Sequence, residues 1–192
     1  NTLQVTNSGG TTFSSDVYAA TVTLNNTTGS ITFDGSVNAT ALTTAAQGFN
    51  VVLNGNGTTI TNAVDFLNTG TVTFGNDASD VLTFTGGVKT DGNASNPTST
   101  NLAGTVNTTN NLLRLGSATL TDNTILNSGG GAITLASLAG ATKNLTLNAG
   151  NGIISVAGAV GTAGNALNTL QVTNSGGTTF SSDVYAATVT LN

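Results

Sequence analysis

Residues 21–37 read TVTLNNTTGSITFDGSV: two short runs of alternating apolar and polar residues on either side of an Asn/Thr/Gly turn. In the first run Val22 and Leu24 fall on one side of an extended chain and Thr21 and Thr23 on the other, the two-residue period of a half-buried strand. The same pair of phrases recurs along the chain. LQVTNSGG from Leu3, VVLNGNG from Val51, VTFGNDASD from Val72 and LTLNAGNG from Leu145 match the first run; TTFSSDV from Thr11, LTFTGGV from Leu82, ITLASLA from Ile133 and ISVAGAV from Ile154 match the second. β-Branched and aromatic residues fill the runs, and Asn-Gly, Gly-Gly, Asp-Gly and Ser-Gly pairs fill the intervals. No 3.6-residue pattern persists long enough for a helix.

Two short strands per coil, tight Gly/Asn corners and a spacing of about 19 to 30 residues predict an all-β chain wound as a parallel β-helix, or β-solenoid. Parallel crossovers give it a right hand. A β-sandwich would not need near-equivalent phrases at matching offsets, and a propeller blade needs a longer period of about 40 to 50 residues.

Further out, residues 1–25 (NTLQVTNSGGTTFSSDVYAATVTLN) stand again without a change at 168–192, an offset of 167. The expected organisation is one full tandem repeat at 1–167, with 168–192 the start of the next identical one, in a continuous array longer than this chain. A signal peptide is not expected inside such a window. Six to eight coils per repeat, each adding ~4.8 Å, would advance a repeat roughly 30 to 40 Å. Phe13, Phe33 and Phe84 are expected to share one register and stack inside the tube. The stretch Lys89 to Asn111, with the sole proline Pro97, is expected to be a protruding loop or a degenerate coil around Leu102 and Val106. Thr40 to Asn50 reads as a longer corner padded by Ala and Phe49.

Only 6% of the residues are charged, and Cys, Met, Trp and His are absent. The eight acids are all Asp, the cations are Lys89, Arg114 and Lys143, and the net charge is -5. Nucleic acid is therefore not an expected partner, since affinity for phosphates rests on clustered Lys and Arg. No run approaches the roughly 20 apolar residues of a membrane-spanning helix, so no membrane insertion is expected. Disulfides and thiolate metal sites are excluded by composition.

Catalysis by a β-helix needs carboxylates held close together. Asp16, Asp34, Asp65, Asp77, Asp80, Asp91 and Asp122 are scattered over turns, with Asp16 and Asp34 in neighbouring places of successive coils. No catalytic residue and no cofactor site is assigned, and the chain reads as a non-enzyme. The calcium candidates are Asp77 and Asp80, in Gly75-Asn76-Asp77-Ala78-Ser79-Asp80, against the plainer reading of an Asx-rich turn. Thr-x-Thr pairs at Thr21/Thr23, Thr71/Thr73, Thr83/Thr85, Thr119/Thr121 and Thr188/Thr190 would serve an ice- or mineral-binding face only if aligned on one face without interruption. Glycan-acceptor triplets begin at Asn26, Asn38, Asn56, Asn107 and Asn144. Asn residues stacked in register are also expected to form amide ladders.

The phrases NLTLNAGNGIISVAGAVG (144–161) and TVTLNNTTGSITFDGSVNA (21–39) resemble the giant repeat-containing surface proteins of bacteria, among them filamentous-haemagglutinin-like and autotransporter-adhesin solenoids and the "beta strand repeat" proteins. The resemblance covers nearly the whole chain and carries over no binding residue. It implies secretion to the bacterial cell surface and a fibrous, sheath-forming or adhesive role. The expected function is a structural filament, stalk or sheath whose partners are adjacent copies of the same repeat, end to end, with lateral self-association open. The alternative is an adhesin for glycans or surfaces, with the Lys89 to Asn111 stretch as its contact.

Overall fold

A computed structural model describes residues 1–25, 28–140 and 142–192, so Asn26 lies outside the described residues. No helix occurs among them; nineteen strands do, and every pairing between strands is parallel. Val17 pairs with Val37 and Ile31 with Val51, so each coil lies one strand spacing above a coil about twenty residues earlier.

The register separates three faces. Face A runs through 2–6, 21–25 and 41–44, then 64–65, 88–89, 113–115, 133–135, 153–156 and 177–180. Between 41–44 and 64–65 the ladder loosens, and the Thr44 hydroxyl accepts the Leu67 N–H at 2.7 Å. Face B runs through 11–13, 30–33, 50–53, 71–74, 99–102, 118–120 and 137–139, ending in single bridges at Val160 and Val184. Face C runs through 17–19, 37–39, 58–60, 81–84, 105–108, 124–127, 144–148, 167–174 and 186–191. Nine levels result. Each coil thus carries three strands, not the two expected from the phrases. The third is often as short as Val64–Asp65 or Val88–Lys89, too brief to show an alternation.

The strand Leu113–Asn127 wraps one whole coil, contributing 113–115 to face A, 118–120 to face B and 124–127 to face C. Inward side chains make columns of like residues, because successive coils lie in register. On face B, Phe33, Leu53, Phe74, Leu102 and Leu120 follow one another up the tube, all buried. Burial of each such side chain is worth about 1.5–3 kcal/mol relative to exposure.

Phe13 and Phe33 stack as expected, with ring centroids 4.8 Å apart and planes 7° from parallel. Phe84 does not join them. It belongs to face C and meets Phe74 at 5.1 Å and Phe66 at 6.3 Å across the lumen, since the phrase holding it sits one face round from those holding Phe13 and Phe33. Phe49 is buried at the corner after 41–44.

The Lys89 to Asn111 stretch divides. Residues 90–98 leave the regular path, while Ser99–Thr108 is a ten-residue strand that runs from face B to face C and buries Leu102 and Val106. A register shift between Leu102 and Gly104 turns the corner, with Gly104 at φ 76°. The excursion is tied at its base: the buried Thr90 hydroxyl accepts from Thr100 Oγ1 at 2.7 Å and from the Gly116 N–H at 3.2 Å.

Candidate functional site

All three cations are paired with Asp. Asp65, Lys89 and Arg114 occupy consecutive outward positions on face A, so their alignment follows from the coil register alone. Lys89 Nζ lies 3.0 Å from Asp65 Oδ2, and Arg114 Nη2 lies 3.0 Å from Asp91 Oδ2, which the 90–98 excursion brings back over the face. Lys143 bonds Asp122 one coil below it at 3.3 Å. These pairs are roughly one-third to one-half exposed, so each stabilises by no more than about 1 kcal/mol. Among the described residues, Arg114 and Lys143 each form an ion pair with a single Asp.

Shallow hollows flank this strip. One of about 210 Å³ is lined by Asp91, Arg114, Thr134 and Ser155, another of about 220 Å³ by Asp65 and Lys89, and a third of about 250 Å³ by Thr43 and Asp65. Each falls short of the ~300 Å³ at which small-molecule sites begin.

At the calcium candidates the carboxylates are engaged by their own turn. Asp80 Oδ2 accepts the N–H groups of Asn76 and Asp77 at 2.9 and 3.0 Å, and Asp77 Oδ1 accepts the N–H and hydroxyl of Ser79 at 2.9 and 2.7 Å. Among the described residues no three His, Cys, Asp or Glu side chains converge as metal ligands. Asp16 and Asp34 each bond upward to the next coil: Asp16 Oδ1 accepts the Ser36 N–H at 2.8 Å, and Asp34 Oδ1 accepts from Asn54 Nδ2 at 3.0 Å.

The Thr-x-Thr pairs do not share a face. Thr21/Thr23 lie on A, Thr71/Thr73 on B and Thr188/Thr190 on C, while Thr83 is on C and Thr119 on B. The Asn residues do form ladders. Asn107, Asn127, Asn148 and Asn174 are successive in register on face C, with Asn127 Nδ2 donating to Asn107 Oδ1 at 3.0 Å; Asn168 Nδ2 donates to Asn144 Oδ1 at 2.7 Å. Of the acceptor triplets, Asn107 and Asn144 are thereby built into the ladders.

Two carboxyls titrate below the ordinary range. The Ser79 hydroxyl and N–H hold Asp77 down, and the Asn123 N–H, then the Lys143 ammonium, hold Asp122 down. A carboxyl depressed in the folded state adds stability above its unfolded pKa, and that stability is lost as pH falls through the folded pKa. No His titrates in between. The melting temperature, followed by circular dichroism, is expected to stay level from about pH 5 to 8 and to fall only below about pH 4.

The two copies of the repeated sequence meet in a regular parallel junction on face C. Residues 169–172 stack on 144–147 through Thr169 on Asn144, Leu170 on Leu145, Gln171 on Thr146 and Val172 on Leu147, the same parallel ladder that joins any two coils. Leu170 and Val172 are buried by it. In the first copy Val22 and Leu24 are fully buried beneath 41–44.

No family model, no curated protein and no solved structure matches this chain.

Proposed function

We propose that this chain is a length of filament, stalk or sheath built from stacked β-solenoid repeats, secreted to the surface of a bacterium, with a structural rather than catalytic task. The junction carries this reading. Residues 168–192 begin a second copy of the repeat and continue the ladder of the first without a gap, a cap or a change of strand direction. In the first copy residues 41–44 bury Val22 and Leu24, the arrangement that a continuing array gives to every copy.

The surface suits the task. Its charged residues are few, each of the three cations is paired with an Asp, and the chain has no Cys, Met or His. The phrase style shared with filamentous-haemagglutinin-like and "beta strand repeat" solenoids points the same way, with adjacent repeats as partners end to end. Electron micrographs of the protein from its native source are expected to show fibres one solenoid thick or bundles of them, with an axial spacing near 37 Å per repeat, from nearly eight coils of ~4.8 Å each. Compact globules alone would overturn the proposal.

A further inference from the structure

The repeated sequence does not return to the face on which it started. Residues 2–6 stack on face A, but their identical copies 169–173 stack on face C. Residues 11–13 lie on face B, and their copies 178–180 lie on face A. Val17 lies on face C, and its copy Val184 bridges to Val160 on face B. Two strands and the bridging residue Val184 are thus transposed in the same sense by the same amount.

The second copy is nevertheless folded like the first. Val22 sits on Leu3 and Leu24 on Val5 in one; Val189 sits on Leu170 and Leu191 on Val172 in the other. The local register is kept while the whole coil is turned. The cause is the length of the repeat. From residue 2, on face A of the first level, to residue 169, on face C of the eighth, the chain completes seven coils and two thirds of another. Such a remainder is tolerated because the inward pattern is interchangeable between faces: Leu3 and Val5 are covered by Val22 and Leu24 on A, and Leu170 and Val172 rest on Leu145 and Leu147 on C.

We infer that consecutive 167-residue repeats are related by a threefold screw, each docking on the last turned by one third of a revolution, with an identical repeat as its partner at both ends. This rests on the filament reading and adds its symmetry. Outward features then appear on the three faces in turn. The Asp65–Lys89–Arg114 strip and the 90–98 excursion recur every ~37 Å at a new azimuth, and the fibre repeats itself only after three units, 23 coils and about 110 Å. A fibre of this kind offers the same surface to neighbours on every side.

The register can be tested in the 192-residue chain, which has no cysteine of its own. Thr146 and Gln171 are outward neighbours across the junction. Without the rotation, Gln171 would instead lie over Ser155, the face A residue at the level below. Adjacent strands hold Cα atoms within the 4.4–6.8 Å that a disulfide needs. Under mild oxidation T146C/Q171C is expected to cross-link internally, as a mobility shift on a non-reducing gel, to the extent reached by Q4C/T23C, a pair of outward neighbours on adjacent coils of face A. S155C/Q171C is expected to cross-link at least about tenfold less. Cross-linking chiefly in S155C/Q171C, equally in both, or in neither while Q4C/T23C reacts, overturns the screw and leaves the filament reading standing. Globular particles in the micrographs would overturn the filament and leave the register result untouched.

Discussion

Gly55→Val lowers the free energy of unfolding by about 3 kcal/mol or more, read as a lower denaturant midpoint at unchanged slope. The reason is not conformational, since Gly55 is not among the positive-φ residues and its backbone suits any amino acid. It is the coil beneath. A Cβ at Gly55 would run into the Gly35 carbonyl and the Ser36 nitrogen, and a Cβ at Gly35 would run into Ser15 and Asp16 in turn. These are backbone atoms with nowhere to go, because the spacing between coils is set by hydrogen bonds such as Asn54 N–H to the Phe33 carbonyl at 2.9 Å. Relieving the clash means prising two coils apart at that corner. Gly164→Ala is the matched control: nothing lies within 4 Å of its Cβ and its φ is ordinary, so its stability should stay within about 0.5 kcal/mol of the parent.

Phe74→Ala should be costlier still in packing, at about 3–5 kcal/mol. Phe74 is fully buried at the fourth level, between Leu53 below and Leu102 above, with the Phe66 ring at 5.5 Å and the Phe84 ring at 5.1 Å. Rings come from all three sides of the lumen here, so backbone ladders on every face resist collapse into the void. Each coil touches only its two neighbours, and the loss therefore falls on the fourth level and its contacts with the third and fifth. Denaturation of the variant should broaden or split as the coils on either side lose their coupling, whereas Phe74→Leu, which keeps most of the volume, should remain within about 1.5 kcal/mol. A single sharp transition at the parental midpoint for Phe74→Ala would contradict this account of the core.

The strands and their parallel stacking were legible because alternation of period two is local: Val22/Leu24 and Ile31/Phe33 announce their inward faces without reference to anything distant. The number of faces was not. A strand such as Leu3 to Val5 has the same pattern whether it lines face A or, as Leu170 to Val172, face C, so its neighbours cannot be read from its own residues. Phe84 was misassigned for this reason.

Ser99–Thr108 was legible only as one of two alternatives, a degenerate coil around Leu102 and Val106, because the register shift at Leu102/Gly104 breaks its alternation just where the chain turns a corner. Of the charged groups, the Asp77 and Asp80 turn was readable, since donors and acceptors lie within four residues. The Arg114–Asp91 pair spans 23 residues and depends on the length of one coil, which varies from level to level.

The pairing of every cation has a further consequence, for digestion. A protease that cuts after Lys or Arg finds three bonds in 192 residues. Lys89 and Arg114 lie within strands, and the Lys143 carbonyl accepts the Asn168 N–H at 3.0 Å, so none of the three bonds is free to enter an active site in an extended, unpaired form. Cleavage has to wait for a coil to unravel, and in a stack whose interior coils are each clasped from both sides, unravelling starts at the ends. If the chain builds the fibre proposed above, the lifetime of that fibre among digestive enzymes would be set by how well its two tips are closed.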